Sequence, residues 1–201
     1  MKIIFFGDSI TDADRDRNNP NDLGNGFVLF AANKLRLLYP DKDFHVLNRG
    51  IGGNRTCDLL ARIQQDVVAE KPDIVVMLVG INDVWHRFNA GIVTTEKQFR
   101  ENYTKLVQTI QDTGAKLILI EPYLLDVADK QNFRPYLNAF IKIIREIAGG
   151  TIPLVPMDEI FCGLSQDIAP EKFAADGVHP THRGCRYIAN LAVKELKKLL
   201  T

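Results

Sequence analysis

The chain has 201 residues, 46% of them hydrophobic, with 25 basic against 25 acidic side chains. That content can bury one substantial core in a single domain over 1–201, and the balanced charge gives no reason to expect nucleic acid or an anionic membrane as partner. The longest apolar run, Ile74 to Ile81, is far too short to span a bilayer. Cys57, Cys162 and Cys185 are scattered, with neither a disulfide framework nor a metal-ligand spacing.

Lys2 to Phe6 reads as a buried strand from the first residues, without the basic region, apolar core and cleavage site of a signal peptide. A reduced, cytoplasmic compartment is therefore expected. Gly7-Asp8-Ser9-Ile10-Thr11 follows at once, and Asp12 to Gly26, rich in Asn, Asp and Arg, reads as a long loop. Phe27 to Leu38 has helical periodicity and stops before Pro40. Phe44 to Leu47 is a short strand ending in Asn48-Arg49-Gly50-Ile51-Gly52-Gly53-Asn54. Thr56 can cap a helix running to about Glu70, with Leu59, Leu60, Ile63 and Val67 on one face. Ile74 to Val79 lacks alternation, as a central parallel strand buried on both faces should.

In the second half, Thr95 and Gln98 make a capping box for a helix ending near Thr113-Gly114. Lys116 to Ile120 is a strand. Phe133, Tyr136, Leu137, Phe140, Ile141, Ile144 and Ile147 form an amphipathic stripe that stops at Gly149-Gly150. Ile152 to Val155 is a last, shorter strand whose proline suggests an edge, and a final helix runs from about Thr181 to Leu200. Strands alternating with helical crossovers imply a three-layer α/β/α sandwich on a five-stranded parallel sheet.

In such a sheet, ligands meet the protein at the carboxyl ends of the strands. Ser9 stands at the first of these ends, on a turn that Gly7 lets bend, where a nucleophile would be presented. A serine nucleophile needs a base, and the base needs an acceptor that fixes its tautomer. His179 in Asp176-Gly177-Val178-His179-Pro180 supplies the first, and Asp176 can curl back within one turn as the second. A tetrahedral intermediate also needs donors already in place. The Ser9 N–H, an N–H from Gly52-Gly53, and the uncharged Asn82 carboxamide stand at the ends of three successive strands.

These four blocks, in this order and over nearly the whole chain, resemble those of the GDSL esterase/lipase family, also called SGNH hydrolases. The resemblance implies the SGNH-hydrolase fold, a flavodoxin-like sandwich. It also implies Ser9 as nucleophile, His179 as base, Asp176 as orienting acid, and an oxyanion hole from Ser9, Gly53 and Asn82. Gly53 is chosen because it is sixth from Asn48, where the family's block places its glycine; Gly52 is the alternative. Ile10-Thr11 stands where the eponymous motif has leucine. No metal or organic cofactor is implied.

The expected activity is that of a serine esterase. Gly80-Ile81-Asn82-Asp83-Val84-Trp85 and the Asp12 to Gly26 loop resemble the carbohydrate acetylesterase subgroup, which includes acetylxylan esterases. The polar loop beside Ser9 and the lack of an amphipathic lid suit acetyl esters of a sugar, a small-molecule substrate. The alternatives are a short-chain lipid esterase, lysophospholipase or thioesterase of the same family, or a non-catalytic binding protein on this fold. A receiver would need a lysine after the last strand, and Val155-Pro156-Met157 offers none; an FMN module would not place Asp8 and Asp12 in its phosphate loop.

Asp12, Asp14 and Asp16 alternate like a calcium loop, but Arg17 and Leu23 occupy the positions of its glycine and closing glutamate, so a solvated loop is expected. His45, His86 and His182 are assigned no site role. Trp85 should lie near the cleft mouth, either lining a pocket or packing the scaffold, and Asp83 should orient the loop around Asn82. Exposed apolar faces on the long helices would suit a homo-oligomer.

Overall fold

A computed structural model describes residues 1–127 and 129–200. Strands β1 (Lys2–Gly7), β2 (His45–Gly50), β3 (Ile74–Leu78), β4 (Lys116–Ile120) and β5 (Leu154–Val155) form one parallel sheet in the order β2-β1-β3-β4-β5. This is the flavodoxin-like sandwich expected from the sequence. β3 is buried along its whole length because it has neighbours on both edges and helices on both faces.

The helices are α1 (Ser9–Asp12), α2 (Phe27–Leu38), α3 (Thr56–Ile63), α4 (Ile81–Asn89), α5 (Glu96–Asp112), α6 (Arg134–Ala148), α7 (Met157–Leu164) and α8 (His182–Leu199). α2 packs on α8 over one face of the sheet, and α3, α5 and α6 pack in a row over the other. α6 shows how the pattern builds a layer: Leu137, Phe140, Ile141 and Ile144 are buried and Ile147 half-buried, whereas Tyr136, expected in the same stripe, is exposed, and the helix ends where Gly149 turns left-handed. α5 starts at the expected reciprocal cap between Thr95 and Gln98.

Several local readings need correction. Thr56 is not the cap of α3: Arg55 takes that position, and the Thr56 hydroxyl donates to Asp83 at 2.7 Å instead. α3 gives way at Gln64 to a π-turn that runs to Val68, not to one helix continuing to Glu70. The loop expected from Asp12 starts one residue later, because Asp8 accepts from the Ile10 N–H to open a short α1 that runs through Asp12 and ends where Ala13 turns left-handed. α4 and α7 occupy segments to which the sequence reading assigns no element, and α8 begins just after its cap at Thr181. Gly7 is needed for space rather than for a positive φ: a side chain there would run into the Leu78 carbonyl and Thr11. Among the described residues no helix is long and apolar enough to cross a membrane.

Candidate active site

The connection after β1 runs to β2 on one side and the connection after β3 runs to β4 on the other, so the two diverge and open a crevice at the carboxyl ends of β1 and β3. Ser9 follows β1, the Gly52-Gly53 turn follows β2, and Asn82 lies in the first turn of α4 after β3. The loop before α8 brings His179 to the same place.

The Ser9 hydroxyl lies 3.0 Å from His179 Nε2. His179 Nδ1 is 2.8 Å from Asp176 Oδ2, and the other Asp176 oxygen accepts the Val178 and His179 N–H groups at 3.0 and 2.7 Å. With Asp176 accepting at Nδ1, that nitrogen carries the proton and Nε2 is left to accept from serine. The turn is anchored by the Leu125 N–H, which donates to the Gly177 carbonyl at 2.8 Å. Burial raises Asp176, but the bonds from the His179 ring and the two N–H groups outweigh it and hold the carboxyl well below the usual carboxylate range. The bond to Asp176 pushes His179 up, against the opposing effect of its partial burial.

Ile51 to Asn54 forms a turn in which Gly53 has φ +80°, a conformation that favours glycine. The Gly52 N–H is donated to Asp12 Oδ2 at 2.9 Å, whereas the Gly53 N–H has no partner among the described residues. Asn82 donates to the Asn54 carbonyl at 3.1 Å, which fixes its carboxamide and leaves its second N–H free. Ser9, the Gly52-Gly53 turn and Asn82 thus follow the carboxyl ends of three neighbouring strands.

A second set of residues holds this frame, and the sequence reading missed most of it. Buried Asn48 donates to the Thr11 and Leu23 carbonyls at 2.7 and 2.9 Å, tying α1 and its following loop to β2. Arg62 donates to the Gly7 and Arg49 carbonyls and to the Asn54 side chain, so one guanidinium clamps the ends of β1 and β2 and the glycine turn. Asp12, expected on a solvated loop, is buried and holds Gly52 and Arg17. Asp83 accepts from the Thr56 N–H and hydroxyl at 2.9 and 2.7 Å, and burial pushes its carboxyl up to about 6. Asp8 is fully buried; one oxygen caps Ile10 and the other has no partner among the described residues. Burial pushes Asp8 up to about 7, against the pull of the Ile10 N–H and the nearby His179.

Beside Ser9 and His179 lies a cavity of about 440 Å³, lined also by Asp14, Asn25, Gly26, His182 and Cys185. His182, assigned no role from sequence, therefore faces the same space as Ser9. Trp85 packs against the scaffold, with its ring 5.8 Å from that of Phe133, and lies beside the site, 5.8 Å from the His179 ring, but it does not line this cavity. Among the described residues, no group of three or more His, Cys, Asp or Glu side chains is arranged to hold a metal ion.

Residues 5–187 match the model of the GDSL-like lipase/acylhydrolase family. An acetylxylan esterase of Geobacillus stearothermophilus is 30% identical over 97% of this chain and 93% of its own length. The crystal structure of that esterase has a TM-score of 0.88 over 96% of this chain and 93% of the other, at 29% identity. Its solved catalytic mutants replace a serine, an aspartate, and a histidine three positions after the aspartate. LAE5, an α/β hydrolase from the metagenome of Lake Arreo, also has a TM-score of 0.88, at 30% identity, over 96% of this chain and 93% of its own. The chain belongs to the GDSL-like lipase/acylhydrolase family and is a carboxylic ester hydrolase.

Proposed function

We propose that this acylhydrolase removes small acyl groups, acetyl foremost, from carbohydrate esters by way of a covalent acyl-enzyme. The observation that carries the reading is the unbroken run of bonds from Ser9 through His179 to Asp176. Ser9 Oγ attacks the ester carbonyl while His179 Nε2 takes its proton, and Asp176 supports the imidazolium that forms. The oxyanion is received by the N–H groups of Ser9 and Gly53 and by the Asn82 carboxamide. His179 then passes its proton to the departing alcohol oxygen as the tetrahedral carbon collapses to acyl-serine. Water, deprotonated by the same nitrogen, attacks that ester and releases the acid. Every step is performed by the chain's own residues.

The free Gly53 N–H, beside a Gly52 N–H already given to Asp12, supports Gly53 as the donor. The Geobacillus esterase supports the Ser9, His179 and Asp176 assignments, since its catalytic mutants involve the same residue types at the same Asp-to-His spacing. The carbohydrate reading is supported by that relative and by the polar groups of Asp14, Asn25 and His182 around the cavity. The free thiols of Cys57, Cys162 and Cys185 support a cytoplasmic location.

Hydrolysis rates for acetyl, butyryl and octanoyl esters of one alcohol, together with acetylated xylo-oligosaccharides, test the substrate. Acetyl esters and the acetylated sugars should be turned over best. A clear octanoyl preference would instead make the enzyme a lipid esterase or thioesterase.

A further inference from the structure

One face of α4 carries Asn82, Trp85 and Phe88 at three-residue spacing, so the stripe that begins at an oxyanion donor runs outward as aromatic rings. At a rise of about 1.5 Å per residue, Phe88 stands roughly 9 Å along the helix from Asn82. A second pair at the same spacing, Phe133 and Tyr136, comes from the start of α6 and the turn before it. The four rings are in continuous contact. Trp85 meets Phe133 edge-on, Phe133 stacks on Phe88 at 4.6 Å, and Tyr136 meets Phe88 edge-on at 5.8 Å. Trp85 also touches the His179 ring. The result is an aromatic strip from the reaction centre to the surface, separate from the 440 Å³ cavity.

Its outer end is open to water, since Phe88 is 42% and Tyr136 39% exposed. Cations accompany it at both ends. The Lys130 ammonium lies over Trp85 at 5.3 Å, and the Arg87 guanidinium over Tyr136 at 4.2 Å. The Lys130 side chain is only 14% exposed, so a ligand lying against Trp85 would remove more of its water. An alkyl chain offers that ammonium nothing in return, whereas hydroxyl and ring oxygens do. A pyranose has both properties the strip asks for: C–H faces that lie on aromatic rings, and oxygens at its edge for the flanking donors.

We infer that the Trp85–Phe88–Tyr136 strip is a binding subsite for sugar residues beyond the one that bears the ester, making an acylated oligosaccharide the preferred substrate over an acylated monosaccharide. The inference rests on the carbohydrate reading above. It adds that the enzyme measures the length of the sugar chain.

The test compares kcat/KM for acetylated xylotetraose and acetylated xylose in the wild type, Phe88→Ala and Tyr136→Ala. The wild type should favour the tetrasaccharide. Each substitution should reduce the tetrasaccharide-to-monosaccharide ratio about 2- to 10-fold, the size of one aromatic contact, mainly through KM. Because the two rings come from different helices, Tyr136→Ala carries the test if Phe88→Ala does not fold. A ratio near one in the wild type, or one that neither substitution changes, overturns the subsite while leaving the sugar-esterase reading intact. If no acetylated sugar is cleaved but octanoyl esters are, and Phe88→Ala slows them, both readings fail and the strip belongs to the acyl chain.

Discussion

Replacing Asp8 by asparagine changes a charge while keeping the cap, because the amide oxygen can still accept the Ile10 N–H that Asp8 accepts at 3.0 Å. The carboxyl titrates at about 7 in the fold against 3.8 for a free side chain, chiefly because it is fully buried. A carboxyl whose folded pKa is raised contributes its stability fully below the unfolded value and loses it as pH rises towards the folded one. The wild type should therefore weaken between about pH 4 and pH 7, as the unfolded chain ionises while folded Asp8 keeps its proton, and the loss should level off above that. At about 1.4 kcal/mol per pH unit, the cost is roughly 1 kcal/mol at about pH 4.5 and roughly 4 kcal/mol at about pH 8.5. The Asp8→Asn variant carries no such cost, so urea unfolding at the two pH values should show it gaining about 3 kcal/mol on the wild type between them. A difference between the two proteins that does not change with pH would refute the reasoning, because it would mean that Asp8 is ionised or neutral alike in both states.

Asn82→Ala should lower kcat by roughly 10²–10³ with little change in KM, as removal of one preorganised oxyanion donor does; steady-state kinetics on an acetyl ester would show it. Asp176→Asn should reduce kcat by roughly 10³–10⁴. It should also shift the acidic limb of kcat/KM to lower pH: Asp176 holds His179 above its ordinary value, and the base must be neutral to accept a proton. A limb left in place would remove Asp176 as the source of that shift.

The strands and long helices are legible because their residues repeat a simple period. Ile74 to Leu78 has no polar residue to place, and the α6 stripe falls every three or four residues. Asp176 and His179 can be read as a pair because three residues suffice to join them, so no distant segment has to be positioned first. The supporting groups are hidden for the opposite reason. Asn48, Arg62 and Asp12 act on carbonyls and N–H groups 13 to 55 residues away. Nothing in an Asn, Arg or Asp by itself announces which backbone it will meet. Thr56 is the instructive miss: a threonine before an apolar stripe is a good cap, but buried Asp83, 27 residues on, needs donors and takes both its hydroxyl and its N–H. Tertiary demand overrides a local preference.

The aromatic strip is half visible in the sequence. Trp85 and Phe88 share a helix face only once 81–89 is known to be helical, and Gly80 and Asn82, as turn formers, give no sign of a helix there. The same missing signal conceals why Asn82 is held so firmly. As part of the first turn of α4, its backbone is fixed by the helix while its side chain is fixed by Asn54.

Labelling with an organophosphonate tests most directly whether Ser9 is the nucleophile. Intact-protein mass spectrometry of the wild type should show one phosphonyl adduct, located by peptide mapping on Ser9, with esterase activity lost in proportion. Ser9→Ala should remain unlabelled, and His179→Ala should label far more slowly. A folded wild type that stays unlabelled while active, or a label on any other residue that accounts for the lost activity, would contradict the account.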